Sequence, residues 1–333
     1  MPKVSVIMPA YNAEKYIKEA MESILNQSFR DFEFIVLNDC SRDHTEAIIQ
    51  SFPDSRIVYV KNDQNLGVAG TLNRGLALAK GEYIARMDAD DISLPDRLEK
   101  QVQYLNAHPK VAVLGTNVEL FDEHGVISTG WSSTDPAQMK VDLLFSCGLA
   151  HPSVMMRRNV IQELGGYDLA FEGLEDYQLW CRVAKHYDVT TLPDLLFRYR
   201  IHSAQVTKNP SPEYLNRLQA LRHWQLEQLG ICPDEEKHGS WYRYCQGKGL
   251  PTVEDILSAA AFFETALQAN AKYKEYDEIC LRRTFRGILL AATGKLDKPA
   301  ARTVCSSTAM ISMGELKWHS FKQWLKKLLR RLK

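Results

Sequence analysis

The sequence predicts an α/β fold, with a doubly wound, mixed but mostly parallel sheet that is followed by a helical C-terminal region. Short β-rich runs alternate with helical patterns over the first 110 residues, which is typical of βαβ units. The strand candidates are nearly continuous apolar runs, as expected when both faces of a sheet are covered. From about residue 211 onward the pattern is helical only, and prolines and glycines divide it.

Four strands and four helices are predicted in the first 110 residues. The strands lie at 4–8, 33–37, 57–61 and 83–87, and the helices lie at 13–27, 43–52, 68–80 and 95–108. The last helix has Ser93 as its expected N-cap and Pro95 near its first turn. This alternation predicts parallel neighbours in the sheet.

The pattern changes between residues 111 and 203. An apolar run at the start of this stretch ends in a turn at Asp122–Gly125. A strand candidate follows at 153–157 and a helix candidate at 175–186. These elements predict that the sheet continues with antiparallel strands.

Composition and charge limit the function classes. The 333 residues are 45% hydrophobic and 25% charged, which is the usual balance of a folded globular protein. The 41 basic and 41 acidic residues cancel, so nucleic acid is not an expected partner. Seven cysteines without a CxxC pair argue against a zinc site or a disulfide framework and favour the reduced cytoplasm. The apolar run Val4–Met8 is too short for a signal peptide, and no stretch approaches the roughly 20 apolar residues of a membrane span.

Polar residues follow three of the predicted strands, where an open α/β sheet binds its ligands. A GxGxxG motif after the first strand and a GxxxxGK[ST] motif are both missing from the sequence, which argues against a dinucleotide cofactor and against a P-loop. The residues at the three strand ends are Pro9, Ala10, Tyr11 and Asn12, then Asn38 and Asp39, and finally Asp88, Ala89, Asp90 and Asp91.

The acidic strand end at residues 88–91 is the sharpest local feature. Carboxylates packed together repel one another unless a cation joins them, and hard oxygen ligands suit Mn²⁺ or Mg²⁺. Such an ion can neutralise a diphosphate leaving group. An acidic first turn of the next helix would explain the same residues without a metal, and the pattern alone leaves both interpretations open.

The chain resembles the family 2 inverting glycosyltransferases, which have the GT-A fold. Ten segments carry the resemblance in order over residues 3–207, whereas residues 208–333 carry no general family motif. The segments are SVIMPAYN (5–12), NQSF (26–29), FIVLNDCSRDHT (34–45), NLG (65–67), LNRG (72–75), GEYIARMDADD (81–91), HPSVMMRR (151–158), GGYD (165–168), LEDYQLW (174–180) and YRIHSAQVT (199–207).

The resemblance implies a role for individual residues. Tyr11 would pack on the donor base, Asp39 would hydrogen-bond it and Asp88 would contact the ribose. Asp90 would bind the metal, with His202 as a second metal contact. The full set expected to bind the nucleotide-sugar is Pro9, Ala10, Tyr11, Asn12, Asp39, Asn73, Asp88 and Ala89.

Asp176, in the LEDYQLW segment, is the catalytic base that the resemblance implies. The family's reaction is a single displacement with inversion, which needs one carboxylate to take the acceptor proton and a cation on the leaving diphosphate. Glu175, Asp91 and His151 are candidate acceptor-site or supporting residues. Each assignment has a plain alternative: Asp176 as an acid favoured by a helix N-terminus, His202 as a loop histidine, and Tyr11 and His151 as packing residues.

The donor prediction rests on a departure from the common family pattern. Leu72 stands where many members have Arg, and the variant at residues 65–75 resembles a subgroup that includes bacterial lipooligosaccharide N-acetylglucosaminyltransferases. A UDP-N-acetylhexosamine is therefore the expected donor, and a cell-surface glycan or lipid-linked glycan the expected acceptor. Two other classes stay open: a nucleotidyltransferase, and a carbohydrate-binding protein without activity on the same fold.

The last twenty residues, 314–333, differ in charge from the rest. They hold seven Lys and Arg and one acid, a net charge of +6, so the other 313 residues carry −6. Spacings of three and four residues place the large apolar side chains on one helical face. These side chains are Leu316, Trp318, Phe321, Trp324, Leu325, Leu328, Leu329 and Leu332.

A basic helix with such an apolar face is typical of a helix that lies in a membrane interface. Docking of this helix on the acidic body of the protein is the alternative. We expect a cytoplasmic protein that is peripheral on the inner face of the bacterial cytoplasmic membrane. The expected division is a GT-A catalytic domain at 1–207, a helical region at 208–313 and the basic amphipathic helix at 314–333.

Overall fold

The computed structural model describes residues 1–130, 132–202, 211–317 and 319–320. The chain forms two compact units. The first unit consists of Met1–Leu143 and Cys147–Arg217, and the second consists of Leu144–Ser146 and Leu218–Lys333.

A mixed sheet forms the centre of the first unit. Its order is β3-β2-β1-β4-β8-β6-β9-β5, and β7 pairs with β6 beside this path. The neighbours within β3-β2-β1-β4 are parallel, as are β6 and β9, and the remaining pairs are antiparallel. The strands are β1 (Val4–Ala10), β2 (Phe32–Asn38), β3 (Ile57–Lys61), β4 (Tyr83–Arg86), β5 (Ile92–Ser93), β6 (Val111–Asp122), β7 (Gly125–Gly130), β8 (Met155–Arg157) and β9 (Asp188–Arg200).

Helices cover both faces of this sheet. On one face, Val6 and Met8 of β1 belong to the same buried cluster as Ile17 and Met21. On the other face, a helix packs on β1 and β2 at Gly75, a position without a side chain. The helices are α1 (Ile17–Leu25), α2 (Thr45–Gln50), α3 (Gly67–Leu78), α4 (Arg97–Ala107), α5 (Pro136–Asp142), α6 (Arg158–Glu163) and α7 (Glu175–Val183).

The predicted N-cap of the fourth helix is wrong. Ser93 lies in β5, where it pairs with Phe197 of β9, so the sheet and not the helix fixes its backbone. Helix α4 begins after Asp96, which makes no side-chain capping bond. The amide of Leu98 in its first turn donates to Gln27 Oε1 instead, at 3.1 Å. A residue distant in sequence thus replaces the local cap.

The regular elements among the described residues of the second unit are all helices. Helix α8 (Pro212–Gln228), whose first residues belong to the first unit, is followed by four more, and a capping box between Thr252 and Asp255 begins the longest of them. The rings of Phe263 and Phe285 stack with their centroids 4.1 Å apart in its core. The four helices are α9 (Gly239–Cys245), α10 (Val253–Tyr273), α11 (Glu278–Thr293) and α12 (Lys298–Ser307).

The mixed sheet and the helical C-terminal region confirm the predicted fold class. Most of the basic amphipathic helix predicted at 314–333 lies outside the described residues, namely Trp318 and 321–333. Of its described part, Leu316 is buried and Glu315 forms an ion pair with Arg286 of α11. None of the helices in the described part of the chain combines the length and apolar character needed to cross a membrane.

Candidate active site

The loops that follow β1 and β2 are bonded to each other. The amide of Asn12 donates to Ser41 Oγ at 3.0 Å, and the amide of Arg42 donates to Asn12 Oδ1 at 2.9 Å. Asp39 N donates to the carbonyl of Ala10 at 2.8 Å. Tyr11 stays outside this network with 52% of its surface exposed, so its ring is available to a flat ligand. Of the two residues before it, Pro9 is half-buried and Ala10 is buried.

Asp39 is buried and binds three groups of the chain itself. Its Oδ1 accepts hydrogen bonds from Asn62 Nδ2 at 2.7 Å and from the amide of Leu66 at 2.8 Å, and its Oδ2 accepts from the amide of Gly67 at 3.1 Å. The carboxylate therefore anchors the start of α3. If Asp39 also contacts the base of the nucleotide donor, as predicted, it does so in addition to this structural role.

Asn73, predicted at the nucleotide-sugar site, faces another part of the unit. Its Nδ2 donates to the carbonyl of Tyr167 at 2.7 Å, and its Oδ1 accepts from the amide of Tyr167 at 2.9 Å. The nitrogen and the oxygen of the Asn73 side chain thus both bind the backbone of Tyr167, in the segment that precedes α7. Its contact with a donor stays a prediction.

The predicted acidic cluster is present beyond β4. Asp88, Asp90 and Asp91 each offer an oxygen, and these atoms lie within 4.8 Å of one another. Asp88 pairs with the buried Arg86, and Asp90 Oδ2 accepts from His202 Nε2 at 2.8 Å. His202 reaches the cluster because β9 ends beside it. Ala89 is buried between the acids.

Arg200, at the end of β9, secures this arrangement. Its amide donates to Asp91 Oδ1 at 2.8 Å, and its Nε donates to the carbonyl of Asp90 at 2.7 Å. Its guanidinium lies 4.6 Å from the ring centroid of Tyr16 and pairs with Glu19 of α1. The acidic turn is therefore held from both sides, which keeps its carboxylates together despite their repulsion.

The donor groups of this cluster fit a divalent cation. Burial and the neighbouring carboxylates raise the pKa of Asp91, and Asp91 Oδ2 is a buried oxygen without a hydrogen-bond partner among the described residues. Burial also raises the pKa of Asp88. Carboxylate oxygens with one imidazole nitrogen are ligands that Mn²⁺ accepts, and the oxygens suit Mg²⁺ as well. Asp90 and His202 are the side chains that would hold the ion, with Asp88 and Asp91 beside them.

A second acidic pair stands at the first turn of α7. Glu175 is only 7% exposed and its Oε2 accepts from the amide of Gly173 at 2.6 Å. The Asp176 side chain is 21% exposed, and its Oδ1 accepts from the amide of Tyr177 at 2.6 Å. Asp176 is thus the member of the pair that an acceptor hydroxyl can reach.

The two carboxyl groups titrate differently. Burial raises the pKa of Asp176, while the charge of Arg86 and a hydrogen bond from Tyr177 act in the opposite direction. Burial, followed by the charge of Asp176, raises the pKa of Glu175 to about 7. With a pKa of about 7, Glu175 can hold a proton near neutral pH, which would leave Asp176 as the candidate base.

His151 lies beneath this pair. Its Nδ1 is 4.0 Å from the nearest oxygens of both Glu175 and Asp176, and its Nε2 lies 2.9 Å from the hydroxyl of Tyr167. Burial and the charge of Arg86 lower its pKa well below the usual range, so the ring is neutral. These contacts suit a supporting role for His151.

Sequence reasoning missed several residues of the site. Arg86 is buried in β4, and its charge acts on Asp88 and Asp176 alike; a lone Arg inside an apolar strand was the available signal. Cys147 Sγ lies 3.7 Å from Asp176 Oδ2, and Glu172 contacts the start of α3. Neither residue belongs to a local sequence pattern that predicts its contact. Their positions depend on tertiary packing.

Comparisons with known proteins assign the chain to a family. Residues 5–165 match the family described as Glycosyl transferase family 2. An uncharacterized glycosyltransferase of Methanocaldococcus jannaschii is 34% identical over 244 residues, which is 71% of this chain and 81% of the relative. The Escherichia coli protein WfgD, named a UDP-Glc:alpha-D-GlcNAc-diphosphoundecaprenol beta-1,3-glucosyltransferase, is 29% identical over 212 residues, 63% of this chain and 81% of that protein.

The fold has close counterparts among solved structures. S. aureus TarS 1-349 in complex with UDP-GlcNAc superimposes with a TM-score of 0.61 at 19% identity, covering 92% of this chain and 91% of that one. This likeness confirms the predicted GT-A type of the sheet. The chain belongs to glycosyl transferase family 2 and is a glycosyltransferase.

Proposed function

We propose that this enzyme transfers a sugar from a UDP-sugar to a hydroxyl group of a glycan, with inversion at the anomeric carbon and with Mn²⁺ or Mg²⁺ as cofactor. The observation that carries the proposal is the presence, in one unit, of an acidic cluster that could hold a cation and of the accessible Asp176 carboxylate at the start of α7, with the buried Arg86 acting on both. Inversion by one displacement needs these two elements and no covalent nucleophile.

In this mechanism Asp176 removes the proton of the acceptor hydroxyl as the oxygen attacks the anomeric carbon. Arg86 favours the ionised Asp176, and the neutral His151 adds no competing positive charge beside it. Tyr11 and Asp39 would hold the base of the donor. A bound divalent cation supplies charge neutralisation at the leaving diphosphate. General base catalysis typically contributes about 10²–10⁴-fold.

The donor sugar and the acceptor are the finer parts of the proposal. The sequence variant at residues 65–75 favours an N-acetylhexosamine. WfgD acts on a diphosphoundecaprenol-linked sugar, which supports a lipid-linked acceptor here. We place the catalytic domain at 1–207 and the helical region at 208–313. The basic segment 314–333 would bind the membrane in which such an acceptor is embedded.

A donor screen tests the function. The full chain is incubated with a panel of UDP-sugars, GDP-sugars and dTDP-sugars in the presence of Mn²⁺, and free nucleoside diphosphate is measured. A second incubation contains nucleoside triphosphates and sugar 1-phosphates, and free pyrophosphate is measured. We expect release of UDP, fastest from UDP-N-acetylglucosamine or UDP-N-acetylgalactosamine. Release of pyrophosphate in the second incubation, with no UDP released from any donor in the first, would assign the enzyme to the nucleotidyl transfer reactions and overturn the proposal. The active donor is then used to screen lipid-linked and free glycan acceptors.

A further inference from the structure

Two carboxylates share the amino terminus of helix α3. The first four amides of an α-helix lack partners within the helix. Here the amides of Leu66 and Gly67 donate to Asp39, whereas Val68 N donates to Glu172 Oε1 at 2.9 Å and Ala69 N donates to Glu172 Oε2 at 3.3 Å. Two charges from distant segments thus satisfy all four amides, and the helix dipole favours both.

Glu172 approaches α3 closely because Gly67 has no side chain. A Cβ at position 67 would lie 2.8 Å from Glu172 Oε1, and the φ of +73° at this glycine is one that other residues rarely adopt. The chain around Glu172 is tied down as well. Its own carbonyl accepts from Arg217 at 2.5 Å, and Asn73 of α3 holds the backbone of Tyr167.

Residues 165–174, which these contacts hold against α3, immediately precede the α7 turn that carries Asp176. Gly165, Gly166 and Gly173 all have positive φ angles, so the stretch 165–174 contains three residues with wide backbone freedom. Arg182 also binds the carbonyl of Gly166, but the contacts of Asn73 and Glu172 are the ones that tie this stretch to α3. Glu172 precedes Asp176 by four residues. A shift of Glu172 would be passed on to the start of α7.

We infer that Glu172 is a positioning residue that fixes Asp176 relative to the nucleotide site, because it binds the same helix end that holds Asp39. The role of Asp176 as base belongs to the proposed function, on which this inference rests. Since a misplacement of about 1 Å can cost about 10²-fold in rate, loosening this contact should lower turnover far more than nucleotide binding.

The test compares Glu172→Gln with Glu33→Gln. Glutamine keeps one acceptor oxygen and the shape of the side chain but loses the charge. Glu33 is the matched control because its Oε1 accepts from Lys80 N at 2.8 Å and from Ser5 Oγ at 2.6 Å, just beyond the other end of α3. Three quantities are measured for each variant: kcat for UDP release with the best donor of the screen, Kd for UDP with Mn²⁺, and amide hydrogen exchange of residues 165–176 without ligand.

We expect Glu172→Gln to lower kcat about tenfold or more, in line with a displaced base, while Kd for UDP changes less than about twofold. Exchange of residues 165–176 should accelerate in this variant and stay at the wild-type rate in Glu33→Gln. Glu172→Ala should show the same split more strongly. If Glu172→Gln lowered kcat and UDP affinity to the same extent, or if Glu33→Gln lowered kcat as much as Glu172→Gln does, Glu172 would only stabilise the fold. Either result would overturn the inference.

The hydrogen exchange experiment also separates this inference from the proposed function. If the wild-type protein released UDP from none of the donors, the proposed function would be contradicted. Faster exchange of residues 165–176 in Glu172→Gln, but not in Glu33→Gln, would still show that Glu172 holds this segment in place. Unchanged exchange in Glu172→Gln would overturn the inference, whatever the donor screen gives.

Discussion

At the scale of single residues, Arg86 is central because its charge reaches both acidic groups. It is buried in β4, where an unpaired guanidinium would be costly, and its ion pair with Asp88 offsets that cost. The same charge favours the ionised form of Asp176 and the neutral form of His151. One buried cation thus helps to set the protonation state in which the proposed base works.

Substitution of the base tests its assignment. Asp176→Asn removes the proton acceptor but keeps the size of the side chain and an oxygen that accepts from the amide of Tyr177. We expect turnover to fall by roughly 10²-fold or more, with the affinity for UDP and the thermal stability close to wild type. Initial rates of UDP release and calorimetric binding measure the two effects. Wild-type turnover in this variant would show that the base is another residue, and Glu175→Gln would be measured next.

Substitution of Asp90 tests whether the enzyme requires a metal ion. Asp90→Ala removes a carboxylate that contacts His202 and faces the solvent, and we expect it to abolish activity and Mn²⁺-dependent UDP binding. Asp96→Ala is the control, since this nearby acid makes no capping hydrogen bond to α4. Excess EDTA should stop the wild-type enzyme, and added Mn²⁺ or Mg²⁺ should restore it. Full turnover in EDTA would contradict a metal requirement.

The pH dependence of turnover should report on Cys147. Burial raises the pKa of this thiol, so it stays protonated and can donate to Asp176. That hydrogen bond lowers the pKa of Asp176, which must be ionised to act. Activity should therefore fall as pH drops through the pKa of Asp176, and Cys147→Ala should move this fall to higher pH. Cys147→Ser keeps a donor and should leave the kcat profile near that of wild type; equal profiles for all three proteins would exclude the interaction.

At the scale of elements, the strands with continuous apolar runs were predictable and the long β9 was not. Its residues pair with β6, but the register shifts between Thr116 and Asn117, where Leu192 is followed by Leu195 as the partner. Pro193 and Asp194 are the residues passed over, and the carbonyl of Pro193 accepts from Asn117 Nδ2 at 3.0 Å. A proline and an acid inside the strand break its pattern, and only the irregular pairing with β6 accommodates them.

The packing of α3 on the sheet gives a prediction about stability. A Cβ at Gly75 would lie 2.6 Å from Ile7 Cγ2 and 3.1 Å from Leu37 Cδ1, so Gly75→Ala would force the helix from the strands. We expect a loss of about 1–3 kcal/mol in the free energy of unfolding. Gly287→Ala in α11 meets nothing within 4 Å and should gain up to about 1 kcal/mol through helix propensity. Urea unfolding measures both, and a stable Gly75→Ala would mean that α3 can move away.

At the scale of the whole molecule, the sequence located the groups at strand ends but not the contacts between segments. Parallel strands bring their carboxyl ends to one edge, so residues 9–12, 39 and 88–91 could be grouped in advance. The pairing of Glu172 with the start of α3 spans about a hundred residues and follows no periodic pattern. Such contacts depend on loop geometry, which sequence spacing does not encode.

The last prediction concerns the membrane. Residues 321–333 hold six Lys and Arg and no acid, together with Phe321, Trp324 and four leucines. Each basic residue near an anionic surface contributes about 1 kcal/mol, and each large apolar side chain adds roughly 1.5–3 kcal/mol before ordering costs. The full chain should therefore sediment with vesicles that contain phosphatidylglycerol, and high salt should weaken the binding.

A truncation after Ser320 is the sharpest variant, because it keeps the buried Leu316 and the ion pair of Glu315 with Arg286. We expect it to lose binding to anionic vesicles while it releases UDP from the donor at the wild-type rate. Replacement of Lys326, Lys327, Arg330 and Arg331 by Gln should remove the salt-sensitive part of the binding and leave the apolar part. Equal sedimentation of the truncated and full chains would contradict membrane binding by this segment.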